Sequence, residues 1–221
     1  SLWDFGVSDA IGNPTLSLFS STGTLIGFND DWESADKTGI MAANAFTGAF
    51  PLGSGHKDAA LLVTLNPGVY TARVGSEAEA GGVALLELYD ADRDGTANQL
   101  INVSARAFVG TDNGILIPGI VVGGETTRRF LIRAIGPGLA AFGGTGTLAD
   151  PVLEVLSGQT VIATNDNWSQ AANATQMAGT ATAVGAFALA PGSTDAALLV
   201  ELAPGVYTAR VQGGGRTTGE A

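Results

Sequence analysis

The stretch DAALLVTLNPGVYTARV occupies residues 58–74 and returns as DAALLVELAPGVYTARV at residues 195–211. Fifteen of the seventeen positions are identical, and every position is shifted by the same offset, 137. A second landmark repeats at almost the same spacing, since NDDW at residues 29–32 returns as NDNW at residues 165–168. Self-similarity at a fixed period is the signature of a repeated structural unit. The sequence therefore predicts two copies of one unit.

The repeated stretch has the residue pattern of a β-hairpin. Apolar side chains alternate along residues 61–65, a period of two that places one set on the core face. Glu201 replaces Thr64 in the second copy, and this charge predicts that the opposite face meets water. Pro-Gly at 67–68 fits a tight turn before a return strand. We expect equivalent burial of four pairs: Leu61 and Leu198, Val63 and Val200, Tyr70 and Tyr207, Val74 and Val211.

The amino-acid composition excludes several classes of protein and disfavours some binding partners. The chain has 221 residues, of which 45% are hydrophobic and 14% charged, so it can form packed cores. The absence of cysteine excludes disulfides, thiolate catalysis and cysteine-ligated metals. No apolar run reaches the length of a membrane-spanning helix, which predicts no membrane insertion. A formal charge of −11 with only two lysines disfavours nucleic acid as a partner.

The sequence pattern in the rest of each period predicts short strands separated by turns. We predict strands at residues 15–19, 24–28, 83–89, 103–109, 115–122 and 128–135. About eight strands in a period, with almost no helix, are typical of a β-sandwich of jelly-roll type. The fold prediction is all-β, with tandem jelly-roll-like antiparallel β-sandwich repeats of period about 137. The one long connection in the first copy, residues 33–57, has weak helical spacing at 35–46.

The offset also predicts where the repeats divide. Residue 1 aligns with residue 138, and residue 221 aligns with residue 84. We predict a first repeat at 1–94 that lacks its N-terminal strands, and a second at 95–221 that lacks its last strand. A missing strand leaves unpaired backbone groups, which are ready for strand addition. The chain is then either part of a longer polypeptide, or it joins copies of itself head to tail near residues 1–12 and 213–221.

Several of these segments together resemble a known repeat. FLIRAIGPGLAAFG at residues 130–143, VIATNDNW at 161–168 and the repeated stretch are similar to a repeat of large secreted proteins of environmental bacteria. A more distant similarity is to the bacterial pre-peptidase C-terminal domain, a β-sandwich. The resemblance implies an extracellular or cell-surface location and a non-catalytic role as a building or accessory module. It implies no functional residues.

The best metal candidate lies between the repeats. Asp90, Asp92 and Asp94 precede a glycine, so their carboxylates could converge on one calcium ion as the chain turns. Ile101 stands where an EF-hand loop has its bidentate glutamate, so this is not an EF-hand. An acidic turn without metal is the alternative, and no other cofactor is required.

The NDDW and NDNW motifs also admit two interpretations. The first is a metal site built from their side-chain oxygens. The second, which we favour, is a turn in which the polar side chains cap backbone groups while the tryptophan covers the edge of the core.

No catalytic group can be assigned from the sequence. His56 is the only histidine and lies in a glycine-rich loop, where a solvated side chain is expected. The sequence contains no G-x-S-x-G elbow and offers no nucleophile–base pair, so we predict that the protein is not an enzyme. We expect a structural or adhesive extracellular module. The alternative is a carbohydrate- or ligand-binding accessory module of a secreted hydrolase, with polysaccharide held by Trp32 or Trp168.

Overall fold

A computed structural model describes residues 1–77, 81–92 and 100–221. The chain divides into two compact units, unit 1 at Ser1–Val103 and unit 2 at Ser104–Ala221. Within the described ranges, both units are built mainly from short antiparallel strands, and each contains one α-helix. The chain is therefore all-β, as predicted.

Unit 1 contains a three-stranded antiparallel sheet and a helix. Its elements are β1 (Pro14–Ser20), β2 (Leu25–Asn29), α1 (Lys37–Thr47) and β3 (Tyr70–Ser76). The strand order is β2-β1-β3, with Leu16 of β1 opposite both Asn29 and Val74. The helix begins where the Asp36 side chain accepts a hydrogen bond of 3.0 Å from Gly39 N–H, a typical N-cap. The helical spacing at residues 35–46 therefore predicted this element correctly.

Unit 2 contains three sheets and a second helix. Its elements are β4 (Phe108–Val109), β5 (Gly119–Val122), β6 (Arg128–Ala134), β7 (Pro151–Ser157), β8 (Thr160–Asn165), α2 (Ala174–Ala183), β9 (Ala196–Leu202), β10 (Gly205–Gly213) and β11 (Gly219–Glu220). The largest sheet has the order β5-β10-β7-β8, while β6 pairs with β9 and β4 pairs with β11. All of these pairings are antiparallel.

The main core of unit 2 lies between the four-stranded sheet and the β6–β9 pair. Leu153 of β7 and Val211 of β10 are buried against Ala196 of β9 and Ala134 of β6. A second cluster continues this core towards Leu202. Removing a valine or leucine side chain from water contributes roughly 1.5–3 kcal/mol, so these contacts provide much of the stability of unit 2.

The opposite face of β9 is covered by a helix instead of water. Ala197 packs with Trp168 and Met177 of α2, and Leu199 joins the same cluster. The prediction that this face meets water was therefore wrong, although Glu201 itself is exposed. The alanine- and threonine-rich sequence before β9 has no helical periodicity, so the sequence did not predict the helix that covers this face.

The hairpin prediction for the repeated stretch was also wrong. In unit 2, where both strands are described, β9 pairs with β6, whereas β10 pairs with β5 and β7. The Pro-Gly signal correctly marks a break between two strands, since β9 ends at Leu202 and β10 begins at Gly205. The two strands belong to different sheets.

Some predicted strands are shorter than expected or are not formed. Residues 61–65 and 84–89 of unit 1 are not in strands, and Val83 forms only an isolated bridge with Ala10. The strand predicted at 103–109 is reduced to Phe108–Val109, and the one at 115–122 to Gly119–Val122 with a bridge at Leu116. Alternation detects residues suited to a strand, but a strand also needs a partner for its backbone groups.

Candidate functional site

The first half of the repeated stretch has a strand partner in unit 2 and none in the described part of unit 1. In unit 2, β9 pairs with β6 over seven residue pairs, from Arg128 opposite Leu202 to Ala134 opposite Ala196. The equivalent segment of unit 1, residues 59–65, is in no strand. We call residues 59–65 the acceptor segment, because the same sequence accepts a strand in unit 2.

The missing partner exposes apolar side chains of the acceptor segment. Leu202 of β9 is 2% exposed, whereas its counterpart Leu65 is 38% exposed. Val63 is likewise exposed, while its counterpart Val200 is partly buried against the core. The expected burial of Val63 was therefore wrong, because burial at this position depends on a neighbouring strand and not on the residue alone.

The start of the acceptor segment nevertheless makes the same hydrogen bond to an asparagine side chain as the start of β9. The Asn29 side-chain oxygen accepts a hydrogen bond of 2.9 Å from Ala60 N–H, and Asn165 does the same at 2.9 Å for Ala197. The Asn29 amide group also donates to the carbonyl of Asp31, at 2.9 Å. The NDDW and NDNW motifs thus begin with an asparagine that ties a turn to the next segment, which confirms the structural interpretation of these motifs.

The tryptophans of these motifs are buried and tied to the backbone. Trp32 Nε1 donates to Gly53 O and Trp168 Nε1 to Ala190 O, each at 3.1 Å. Both rings are almost fully buried, so neither presents a face on which a sugar could stack. Trp3, by contrast, is 55% exposed.

A buried carboxylate joins the end of β6 to the start of β9. Asp195 is fully buried, and its Oδ1 accepts hydrogen bonds from the main-chain N–H groups of Gly136 at 2.8 Å and Gly138 at 3.1 Å. Its Oδ2 accepts a third from the hydroxyl of Ser193, at 2.8 Å. Three donors compensate the cost of burying the charge.

The equivalent carboxylate of unit 1, Asp58, accepts its hydrogen bonds from Ser1. Asp58 Oδ1 lies 3.0 Å from the main-chain nitrogen of Ser1, which by the offset occupies the place of Gly138. The Ser1 hydroxyl also donates to Asp58.

An aromatic pair accompanies the β6 strand in unit 2. Arg133 of β6 donates to Phe187 O at 2.6 Å, and its guanidinium lies 4.4 Å from the centre of the Phe187 ring. Burial of this guanidinium lowers the pKa of Arg133. The Phe187 ring also packs against Phe142, with the centroids 4.7 Å apart.

Unit 1 contains an equivalent aromatic pair. Phe5 and Phe50, the counterparts of Phe142 and Phe187, have ring centroids 5.7 Å apart. Neither Phe50 nor Asp58 was predicted to belong to a site. Both recur at the same offset as the repeated stretch, and this recurrence is the signal that could have identified them.

No protein-family model matches this chain, and neither does any curated protein or solved structure. The resemblance to a repeat of secreted bacterial proteins therefore stays a prediction. In the described ranges, no helix is long and apolar enough to cross a membrane.

A serine, a histidine and an aspartate meet near the start of unit 1. Ser1 Oγ lies 3.1 Å from His56 Nδ1, and Asp58 Oδ2 lies 3.9 Å from the same nitrogen. A catalytic relay needs the serine and the carboxylate on opposite ring nitrogens, so that the proton passes through the imidazole. Both groups face Nδ1 here, so the cluster does not have relay geometry. His56 is partly exposed, in keeping with a loop histidine.

The calcium candidate is only partly described. Asp90 and Asp92 are exposed, and the Asp92 N–H donates to the Asp90 side chain at 3.0 Å, which forms an Asx turn. Asp94 lies outside the described residues. Among those that are described, no three histidine, cysteine or acidic side chains are grouped to hold a metal ion. Calcium binding stays a prediction.

The end of unit 2 is already paired. Ala221 exchanges two main-chain hydrogen bonds of 3.1 Å with Ala107, and β11 pairs with β4. These bonds occupy residues 219–221, and contact between copies at residues 213–221 stays a prediction. Within the described chain, the acceptor segment is the better candidate for strand addition.

Proposed function

We propose that this chain is a non-catalytic, extracellular structural or adhesive module, built from jelly-roll-like β-sandwich repeats with a period of about 137. The observation that carries the proposal is the difference in burial between Leu202 and its counterpart Leu65. The same sequence buries its apolar side chains beside a strand in unit 2 and exposes them in unit 1. A surface of this kind is suited to assembly by strand addition.

The proposed assembly is a surface fibre in which modules join head to tail. A heterologous contact that does not close into a ring propagates as a filament. The exposed aromatic side chains of Trp3 and Phe5 lie in the region 1–12, where we expect contacts between modules. They add apolar area to that of the acceptor segment, which supports an interface on unit 1.

Light scattering and electron microscopy of the 221-residue chain test this function. We expect the scattering mass to grow with concentration, and the particles to lengthen in one dimension. Val63→Asp should suppress the growth, since it places a charge in the acceptor segment. Val121→Asp is the matched control, because Val121 is also exposed but lies on β5 of unit 2. A monodisperse monomer at every concentration would overturn the proposal.

A further inference from the structure

We propose that a cavity beneath α2 in unit 2 binds a small monocarboxylate with a short apolar tail. The cavity has a volume of about 100 Å³ and lies on the face of the β6–β9 pair that α2 covers. One arginine and several apolar side chains line it, among them Leu131, Arg133, Trp168, Met177, Ala181 and Ala197. The inference goes beyond the proposed structural role, and its evidence lies wholly within unit 2.

The inner wall of the cavity is apolar and rigidly placed. Met177 and Ala197 are each 2% exposed, and the Trp168 ring beside them is also buried. The indole N–H of Trp168 already donates to Ala190 O, so it offers the cavity no free polar group. An apolar cavity of about 150 Å³ stays dry and binds benzene, so this one has room for an apolar group of roughly four carbon atoms.

The outer side of the cavity is open to solvent. Ala178 and Thr182 of α2 both line it, and both are exposed. A small molecule can therefore enter along α2 without unfolding the strands beneath. Concave apolar sites with a few well-placed polar groups are the usual binding sites for small ligands.

The charged end of Arg133 is held at the wall of this cavity. Its guanidinium donates to Phe187 O at 2.6 Å and lies 4.4 Å from the centre of the Phe187 ring. Ala188 and Leu189, which follow Phe187 in the chain, line the cavity together with Arg133. These two contacts fix the guanidinium before any ligand binds.

This guanidinium is half-buried without a carboxylate partner. It has five N–H donors, and in the part of the chain that the structure describes Phe187 O is the one acceptor bonded to them. No ion pair involves Arg133 within the same described ranges. The charge of Asp195 favours that of Arg133, but its two oxygens are already bonded to other groups. A partly buried arginine is usually paired, so Arg133 has donors left for an anion.

The apolar cavity and the arginine together define the class of ligand. A carboxylate can accept two parallel hydrogen bonds from a guanidinium, while an attached hydrocarbon chain fills the apolar wall. A neutral alcohol or amide would leave the charge unpaired. An anion without a tail, such as acetate, would leave the apolar wall uncovered.

NMR titration of the intact 221-residue chain with isovalerate tests the inference. We expect saturable shifts of the methyl signals of Leu131 and Met177. Isovaleramide has the same tail without the charge, and acetate has the charge without the tail. Each should bind more weakly by roughly tenfold or more, because each lacks one half of the interaction.

Two variants separate the contributions of charge and cavity. Arg133→Gln should weaken isovalerate binding by roughly tenfold or more, since it removes the guanidinium. Arg129→Gln is the matched control, because Arg129 lies on the same face of β6 but is exposed and opposite Glu201. Ala181→Leu should also abolish binding, because the larger side chain fills the cavity while Arg133 is kept.

Three results would overturn the inference. The first is the absence of saturable shifts at Leu131 and Met177, and the second is equal affinity for isovalerate and isovaleramide. The third is unchanged affinity in Arg133→Gln that melts as a folded protein. If that variant does not fold, unchanged affinity in Ala181→Leu overturns the inference instead. Fibre growth is measured without isovalerate, so either proposal can fail while the other stands.

Discussion

The carboxylate of Asp195 accepts a hydrogen bond of 2.8 Å from the main-chain N–H of Gly136, at a site where Asp195 is fully buried. This contact joins the chain leaving β6 to the residue just before β9. It therefore fixes the end of the strand pair that distinguishes unit 2 from unit 1. Asp58, at the equivalent place in unit 1, contacts Ser1 instead.

Asp195→Ala should destabilise unit 2 by about 2–4 kcal/mol, because it leaves buried N–H groups without an acceptor. Native-state hydrogen exchange in β9 measures this loss. Asp58→Ala is the matched control in unit 1, where the carboxylate is less buried. We expect it to leave exchange in β9 unchanged. Equal loss of protection in β9 from the two variants would contradict the prediction.

Leu202→Ala and Leu65→Ala should lower the free energy of unfolding by very different amounts, although both residues occupy the same position of the repeated sequence. Truncating the buried Leu202 creates a cavity and should cost about 2–5 kcal/mol. Truncating Leu65 should cost less than about 1 kcal/mol, because this side chain is already partly in water. Urea unfolding of the two variants measures the difference. Similar costs would show that Leu65 is covered in solution.

Tryptophan fluorescence should separate Trp3 from the two buried indoles. We expect acrylamide to quench Trp3 strongly, since it is exposed, and to reach Trp32 and Trp168 poorly. Trp3→Phe should therefore remove most of the quenchable emission, while Trp168→Phe should leave it in place. If Trp3→Phe changes quenching no more than Trp168→Phe does, the assigned burial is wrong.

Glu33 should remain ionised to unusually low pH. Hydrogen bonds from Lys37, Gly55 N–H and Ser54 lower the pKa of Glu33 from 4.5 to about 2. A lowered folded-state pKa stabilises the fold above pH 4.5, and this contribution is lost as the pH falls towards 2. NMR titration of the Glu33 carboxyl carbon measures the midpoint. Lys37→Met should raise it, and an unchanged midpoint would contradict the assigned contact.

The sequence by itself predicted the class of fold and several local elements. Alternating apolar residues and turn signals predicted an all-β chain, and the spacing at 35–46 predicted α1. The asparagine and tryptophan motifs were correctly interpreted as turns. These features depend on contacts near in sequence or on the periodicity of one element, so the residues alone carry the information.

Only the tertiary structure decided which strands pair and which side chains are buried. The stretches at 58–74 and 195–211 are nearly identical, yet Leu202 is buried and Leu65 is not. β9 pairs with β6, which lies far earlier in the chain, and not with the strand that follows it. A strand's hydrogen bonds are satisfied by whatever neighbour the fold supplies, so identical sequences take different environments where that neighbour differs.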